Sequence, residues 1–428
     1  MWFNILLVFL LVFSFPIVGP LNSAYLALFL AMWKVVSKKR LNRVVYLFRN
    51  KYIKLLMVSS FLMVCLSAIW TKWMGANDME LTRAMFSMLV GVILSVIIIS
   101  ALDFKEFTTD FAEKLLVDVF VVQGLISIGS FTVPAIKDIV HHFQFDDSAP
   151  ADDYYFFIRG MAMSGRLYFE LAATCGLITF VQFKRIMGMQ KVSYMEYIKL
   201  FLVIICGFFA GRTSMIGIVF GVGYVILYKG ESKRKLRLFS KLGLTLLACV
   251  LMVVAILPAS VISLITDTLA PWLFDLIIKY NETGSTEDSA SFNALNEMYE
   301  YVQITDEEWV IGSGHYIDKE YGGYYKSVDG GYIRQLLYWG TIGSFFAYIY
   351  GLLYFIKPIR LCRNRNDKLY IFLILIYTFF VHYKGELAVT SRFYHVPVIM
   401  LMLPYVLKRV KRIRNKNGTD RHSYSVGR

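Results

Sequence analysis

Four arginines, Arg166, Arg212, Arg334 and Arg392, lie at the ends of long apolar stretches of this chain. A planar guanidinium group binds two phosphate oxygens at once, so arginine is the preferred residue for bidentate binding of such anions. One arginine at such a position has a plainer explanation, because it can snorkel to water or pair with a carboxylate. Four at the same predicted depth favour binding of a lipid-linked diphosphate, whose head group lies at that depth.

The segment FFVHYKGELAVTSRFYHVP, residues 379–397, is a second concentration of reactive side chains. It places Lys384 and Glu386 together with histidines and Arg392 in one short turn between two apolar stretches. A simple connector needs no such set. Lys384 and Glu386 either form an ion pair or act on a substrate, Lys384 as a phosphate ligand and Glu386 in catalysis. The sequence leaves both possibilities open.

Asp329 directly precedes Gly330-Gly331 and another apolar stretch. A carboxylate there could act as a general base toward a hydroxyl near the lipid head groups. Alternatively it caps the following helix, a common role for aspartate. His315 is a third candidate catalytic residue, and the glycines on either side of Ser313 would allow a tight turn near the membrane surface.

These residues must be positioned by membrane-spanning helices. Hydrophobic residues make up 57% of the 428 positions and charged residues 18%, with a mean hydropathy of +0.55. Soluble domains carry about a quarter charged residues, and the apolar runs have the length that crosses a bilayer as helix. We predict an all-α, polytopic membrane protein of about twelve spans. The predicted spans are two within 2–36, then 55–73, 85–102, 115–135, 167–183, 197–211, 215–228, 242–260, 332–356, 369–385 and 394–407.

The net charge of +14 is explained by orientation rather than by nucleic acid, which we exclude as a partner. Basic residues cluster in four segments, all on one side if the spans alternate: 37–54, 229–241, 357–368 and the tail from 408. Such segments stay in the cytoplasm, so both termini are predicted there, with an uncleaved first span. The predicted divisions are 1–260 with a smaller outer loop at 136–166, a large outer loop at 261–330, spans at 331–407 and a tail at 408–428.

The large loop is acidic: it holds thirteen acidic residues against three lysines, and no arginine. Its middle part, residues 290–309, has the apolar spacing of a helix lying on the membrane surface. Phosphate-binding glycine loops, dinucleotide fingerprints and zinc-protease motifs do not occur, which argues against ATP-driven pumps and soluble-type hydrolases. None of the five cysteines falls in an outer loop, and we predict no disulfide, no metal and no cofactor.

Three strings in this order resemble the Wzy-type O-antigen and capsular polysaccharide polymerases, within the wider group that includes the O-antigen ligases. They are GRTSMIGIVFGVGY, GSGHYIDKEYGGYYKSVDGGYIRQLLYWGTIGSFF and YKGEL. The strings are short, and the predicted topology extends the resemblance over nearly the whole chain.

The resemblance implies a GT-C-like glycosyltransferase of the bacterial inner membrane, active at the periplasmic face. Its substrates would be oligosaccharides on undecaprenyl diphosphate, and its partners membrane lipid, a chain-length regulator and a flippase. Arg212 matches the hairpin arginine of the family and would bind diphosphate. Asp329 falls where the ligases carry a histidine, which favours a polymerase. The arginine repeats that some polymerases show in both outer loops do not carry over.

Two alternatives stay open. The nearest is a ligase, or a capsule or exopolysaccharide polymerase of the same superfamily. The other is a flippase for lipid-linked oligosaccharide, which would usually show charged residues at mid-membrane and paired repeat halves.

Substituting Arg212→Ala should abolish long-chain glycan while leaving membrane insertion intact, because the variant loses a diphosphate ligand but no apolar span. Gel analysis of surface glycan and a membrane-fraction immunoblot measure the two effects. A normal chain-length distribution would remove Arg212 from the mechanism.

Overall fold

Helices dominate the computed structural model of this chain, and they form from apolar runs bounded by Pro, Gly and capping residues. The structure describes residues 1–19, 21–144, 160–230, 232–256, 263, 266–267, 270–284, 290–318 and 323–423. The chain is 78% helical. Within the described part, four helices are long and apolar enough to cross a membrane and several more are shorter, which is compatible with an all-α membrane protein.

The helices of the first half run up to the end of the smaller predicted loop. They are α1 (Trp2–Phe13), α2 (Ser23–Val35), α3 (Lys38–Phe48), α4 (Lys51–Trp73), α5 (Glu80–Ala101), α6 (Thr109–Thr132) and α7 (Pro134–His142). The helices of the second half include those of the large predicted loop. They are α8 (Phe169–Gly188), α9 (Tyr194–Ala210), α10 (Met215–Leu227), α11 (Ser232–Ile256), α12 (Ala270–Thr283), α13 (Ala290–Glu300), α14 (Asp306–Ile311), α15 (Gly331–Leu361), α16 (Arg365–His382) and α17 (Arg392–Ser423).

A small antiparallel hairpin joins α1 to α2, where the sequence predicts only a tight turn between two short spans. Its strands are β1 (Pro16–Val18) and β2 (Leu21–Asn22). Asn22 then caps α2 by accepting a hydrogen bond from the Ala24 amide at 3.1 Å. The two helices have 12 and 13 residues, each shorter than the roughly 20 that a full crossing needs.

One face of α4 supports the membrane environment directly. Its side chains Val58, Phe61, Leu62 and Ile69 are each more than half exposed. A soluble protein rarely exposes so continuous an apolar stripe. The opposite face packs on α5 and α15, so the outward stripe is suited to lipid.

Several tyrosines lie fully buried inside the helix bundle. Tyr350 and Tyr354 are fully buried, and their hydroxyls lie 2.9 Å apart. Tyr52 donates to the Tyr354 carbonyl at 2.7 Å. Each phenol therefore has a hydrogen-bond partner, as buried hydroxyls require, and the bonds tie α4 to α15.

Close contact between α8 and α10 fixes the hairpin that carries Arg212. A Cβ on Gly217 would lie 2.0 Å from the Gly176 carbonyl oxygen. Only glycine allows the two backbones to approach so closely, as small residues do at membrane helix crossings. A short 3-10 turn, Arg212–Ser214, then connects α9 to α10, which places Arg212 at the end of the bundle.

Helix α15, predicted as one continuous span, is broken at Gly340, where φ is +63°. The GSG turn, residues 312–314, lies against the break. The Ser313 amide donates to the Leu337 carbonyl at 2.7 Å, and the Gly314 amide donates to the Tyr338 carbonyl at 3.1 Å. The carbonyls that the break frees are thus satisfied by the large loop, and the first segment of α15 is held at a fixed angle.

The predicted surface helix at 290–309 is two helices, α13 and α14. Thr305 begins α14 with a capping box, in which its side chain accepts from the Glu308 amide and Glu308 accepts from the Thr305 amide. Because this cap begins a new helix at Thr305, a single helix cannot continue through residues 301–305.

Gly340→Ala should destabilise the protein, because a methyl group at a positive φ would also lie 2.3 Å from the Val310 carbonyl oxygen. Strain of this kind costs about 1–3 kcal/mol. We expect a lower apparent Tm in detergent by several degrees. Gly223→Ala is the control, since nothing lies within 4 Å of its added Cβ, and it should leave the Tm unchanged or higher. Equal behaviour of both variants would contradict the role of the break.

Candidate active site

The centre of the candidate site is a buried ion pair between Arg334 and Glu386. Arg334 comes from the first segment of α15, and Glu386 from the turn between α16 and α17. Their side chains are only 6% and 4% exposed, and Arg334 Nη1 lies 3.5 Å from Glu386 Oε2. Two residues predicted from separate motifs therefore meet in one site.

Two tyrosines of the large loop enclose the Arg334 guanidinium. It lies 4.1 Å from the ring centroid of Tyr316 and 3.6 Å from that of Tyr324. Arg334 Nε and Nη2 are buried and donate to no described residue. Cation–π contacts hold the faces of the guanidinium, so two of its donor nitrogens stay available for a ligand oxygen.

Both oxygens of Glu386 are engaged. Tyr316 donates its hydroxyl to Oε2, and the Gln335 amide donates to Oε1. Burial raises the pKa of Glu386, while the Arg334 charge opposes this rise. Burial also raises the pKa of Tyr316 well above its ordinary value, which keeps the phenol protonated as a donor. Glu386 is therefore built to orient Arg334 and Tyr316 rather than to accept a proton.

Asp78, which the sequence motifs do not single out, holds Tyr316 in position. This buried carboxylate, between α4 and α5, accepts from the backbone amides of Tyr316 and Ile317 at 2.5 and 2.7 Å. Its other oxygen accepts from the Glu80 amide at 2.9 Å. The contact spans more than two hundred residues of sequence, so no local pattern predicts it.

Asp329 lies beside this centre and differs from Glu386 in its surroundings. It is exposed, and its carboxylate forms no hydrogen bond with any described residue. The alternative in which it caps α15 is not observed, since Gly330 occupies the N-cap and no side chain caps the helix. Partial desolvation raises the pKa of Asp329, against the opposing charges of Arg334 and Lys384. A free carboxylate with a raised pKa is a suitable general base.

Arg166 and Arg392 both lie near Glu170, a residue at the start of α8. Arg166 Nε is 3.2 Å from Glu170 Oε2. Glu170 is within electrostatic range of Arg392 and also of Glu386 and Tyr324. Arg392 itself forms no ion pair within the described residues. Two of the four predicted arginines, Arg166 and Arg392, thus interact with Glu170, which sequence reasoning missed.

Arg212 is placed differently, because it contacts the large loop. Its Nη1 lies 3.2 Å from Asp275 Oδ2 of α12. The two side chains are 19% and 26% exposed. A ligand phosphate would compete with Asp275 for this guanidinium, so the pair either anchors the loop or yields to substrate.

His315 does not join the centre, although it adjoins Tyr316 in sequence. Its ring stacks on that of Tyr325 at 5.3 Å, and its backbone amide donates to Ser313 Oγ. Among the described residues no group of three or more potential metal ligands occurs.

His382 has a structural role that its sequence position does not reveal. Its buried Nδ1 accepts from the amides of Leu387 and Ala388 at 2.9 and 3.2 Å. The imidazole therefore closes the turn that carries Glu386, and its rigidity sets where that carboxylate lies. The same accepting Nδ1 requires the neutral ring to carry its proton on Nε2.

A second group of buried charges lies at the opposite ends of α6, α8 and α9. Lys184 Nζ is 2.6 Å from Glu113, Lys199 Nζ is 2.5 Å from Asp118, and Arg185 Nη1 is 3.2 Å from Glu196. Sequence analysis assigned these residues no role. Each base has a carboxylate partner, and Asp367 and Asp110 also lie 4.0 and 3.9 Å from Lys184 and Arg185, respectively.

Searches against models of known protein families, curated proteins and solved structures gave no match.

Removing Glu386 should destabilise the protein strongly, because Arg334 would be left buried with no carboxylate. Breaking a buried pair in this way costs about 3–5 kcal/mol. Glu386→Ala is expected to lower the apparent Tm in detergent, and Arg334→Met/Glu386→Leu to recover most of the loss.

The matched control is Glu282→Ala, which breaks the exposed pair between Lys279 and Glu282. Exposed pairs contribute about 0–1 kcal/mol, so the Tm should hardly move. An equal effect of Glu386→Ala and the control would show that the buried pair is not structural.

Proposed function

We propose that this protein is a membrane glycosyltransferase that polymerises oligosaccharide repeat units carried on undecaprenyl diphosphate. The observation that supports it best is the partly unpaired Arg334 guanidinium beside the free Asp329 carboxylate. A transfer from a lipid diphosphate needs both an anion-binding group and a base near a hydroxyl. The resemblance of the hairpin, loop and YKGEL strings supplies the substrate class, and the inner membrane is the proposed location.

In this proposal the terminal hydroxyl of the acceptor attacks the anomeric carbon of the donor glycan. The new glycosidic C–O bond forms as the bond to the diphosphate oxygen breaks. Asp329 accepts the hydroxyl proton, and the lipid diphosphate leaves as an anion. No general acid is required, because the leaving group is stable when charged.

Arg334 would bind the departing diphosphate through Nε and Nη2, the two nitrogens that donate to no described residue. Donors held in place before the reaction stabilise developing charge without reorganisation. Glu386 and Tyr316 serve as positioning residues that fix the guanidinium. Arg166, Arg392 and Lys384 would add positive charge around the same lipid head group.

A flippase remains the alternative from another class, and two observations favour it. Glu113, Asp118 and Glu196 form buried charge pairs at or near the ends of predicted spans, and buried charges in membrane proteins often mark transport pathways. The break in α15 is a discontinuous helix, as transporters often use at substrate sites. Against this, every base of the network already has a carboxylate partner, and Arg185 Nε is the donor there that has none. At Arg334 two donors of one guanidinium have no described partner, and the carboxylate of Asp329 lies near.

Substituting Asp329→Asn should abolish long-chain glycan, because the amide cannot accept the hydroxyl proton. The measurement is in vitro chain extension with purified protein and lipid-linked repeat units. Glu307→Gln, an exposed carboxylate of the same loop, should keep normal activity.

The pH dependence of the extension rate distinguishes a catalytic role of Asp329 from a structural one, because a structural role would leave it unchanged. The rate should fall as pH decreases through a pKa above that of an ordinary aspartate, since Asp329 must be ionised to act and its pKa is raised. Full extension by Asp329→Asn would refute the base assignment. Extension unaffected by both Asp329→Asn and Arg334→Lys, combined with lost translocation of the lipid substrate, would establish the flippase instead.

A further inference from the structure

A cavity of about 250 Å³ lies between the end of α8, the turn that follows it, α9 and the start of α11. None of its lining residues belongs to the candidate site. Four of its lining residues are basic, namely Lys191, Arg234, Arg237 and Lys241, and none is acidic. The remainder of the lining is largely apolar, including Tyr197 and Leu238. The cavity therefore combines concentrated positive charge with an apolar wall.

The positive charge in this cavity is not neutralised by the part of the chain that the structure describes. None of the four basic residues has an ion pair there, and Nη2 of Arg234 is buried without a hydrogen-bond partner. The neighbouring carboxylate of Glu196 is shared by Arg185 and Lys199. An unpaired buried donor is costly, so an anion in the cavity would be favourable.

Orientation of the chain in the membrane does not account for this arrangement. Residues that serve only the positive-inside rule lie in water, as the exposed Arg363 and Arg365 do. On α11 the arrangement differs: Arg234 and Arg237 both line the cavity, and Arg234 is partly buried, whereas Leu236 is 72% exposed and Phe239 is 37% exposed. Leu238 is also buried at the cavity, Arg237 lies at its exposed rim, and Leu236 and Phe239 are exposed where lipid chains would cover them.

We propose that this cavity is a binding site for the phosphodiester head group of an anionic phospholipid. The four cations match the negative head group, and the apolar residues on and around α11 match its acyl chains. Basic pockets between membrane helices bind anionic lipid in this manner. By the predicted topology the site lies on the cytoplasmic side, opposite the Arg334 centre, and it does not depend on the proposed glycosyltransferase activity.

Native mass spectrometry of the full chain in neutral detergent tests the proposal, with phosphatidylglycerol and phosphatidylcholine as probes. The wild type should retain one phosphatidylglycerol more tightly than phosphatidylcholine. Arg234→Ala/Arg237→Ala should weaken this preference about thirtyfold, the effect expected of two basic groups near an anionic lipid. Arg363→Ala/Arg365→Ala removes the same charge elsewhere and should leave the preference intact.

Two results would overturn the proposal. Equal losses in both double variants would mean that net charge alone retains the lipid. Displacement of phosphatidylglycerol by excess inorganic phosphate would assign the cavity to a free phosphate. Circular dichroism and size-exclusion profiles matching the wild type establish that the cavity variant is folded, and Arg234→Lys/Arg237→Lys should restore most of the preference.

Discussion

The structure around the candidate site depends on satisfying the backbone groups that the break at Gly340 releases. A helix inside a membrane cannot leave carbonyls unpaired, because lipid offers no donors. Here the amides of Ser313 and Gly314 supply them, and the two glycines of this turn permit the close approach. The loop that contains Ser313 and Gly314 is thereby attached to α15 by backbone bonds rather than by side chains alone. Arg334 lies in the segment that these bonds orient.

The two buried charge clusters differ in a way that bears on function. The network of Glu113, Asp118 and Glu196 gives each of its bases a carboxylate and leaves one donor, Arg185 Nε, without a partner. In the Arg334 centre, both Glu386 oxygens accept hydrogen bonds, whereas Arg334 still has two donor nitrogens with no described partner. Incomplete satisfaction of a buried group is uncommon in proteins. In the proposed function, a substrate oxygen at Arg334 would complete the hydrogen bonding of this guanidinium.

Much of the helical architecture could be predicted from the sequence, because the length and composition of apolar runs respond directly to the bilayer. The helices α4, α5, α6 and α15 match predicted spans within a few residues at most ends. The count of twelve spans and their orientation stay predictions. The break at Gly340 was missed, since a lone glycine in an apolar run does not reveal a positive φ.

The candidate site was predictable only in part. Arg334, Glu386 and Asp329 stood out because charge at the end of an apolar run is costly and therefore informative. Tyr316, Tyr324 and Gln335 did not, because tyrosine and glutamine are unremarkable at a membrane surface. Asp78 and Glu170 depend on contacts between distant parts of the chain, which neither spacing nor composition encodes. The pairing of Arg212 with Asp275 likewise required the loop to be placed over the hairpin.

The anchoring of Tyr316 by Asp78 has a consequence for biogenesis. The aspartate lies between the fourth and fifth helices, whereas Tyr316 and Glu386 are synthesised more than two hundred residues later. Membrane insertion proceeds from the N-terminus, so the hairpin of α4 and α5 is inserted before Tyr316 is synthesised. Until then the Asp78 carboxylate lacks the backbone amides of Tyr316 and Ile317. The Arg334 centre can close only after the last helical hairpin has entered. A truncated chain would accordingly insert its first helices and still lack every contact that defines the site.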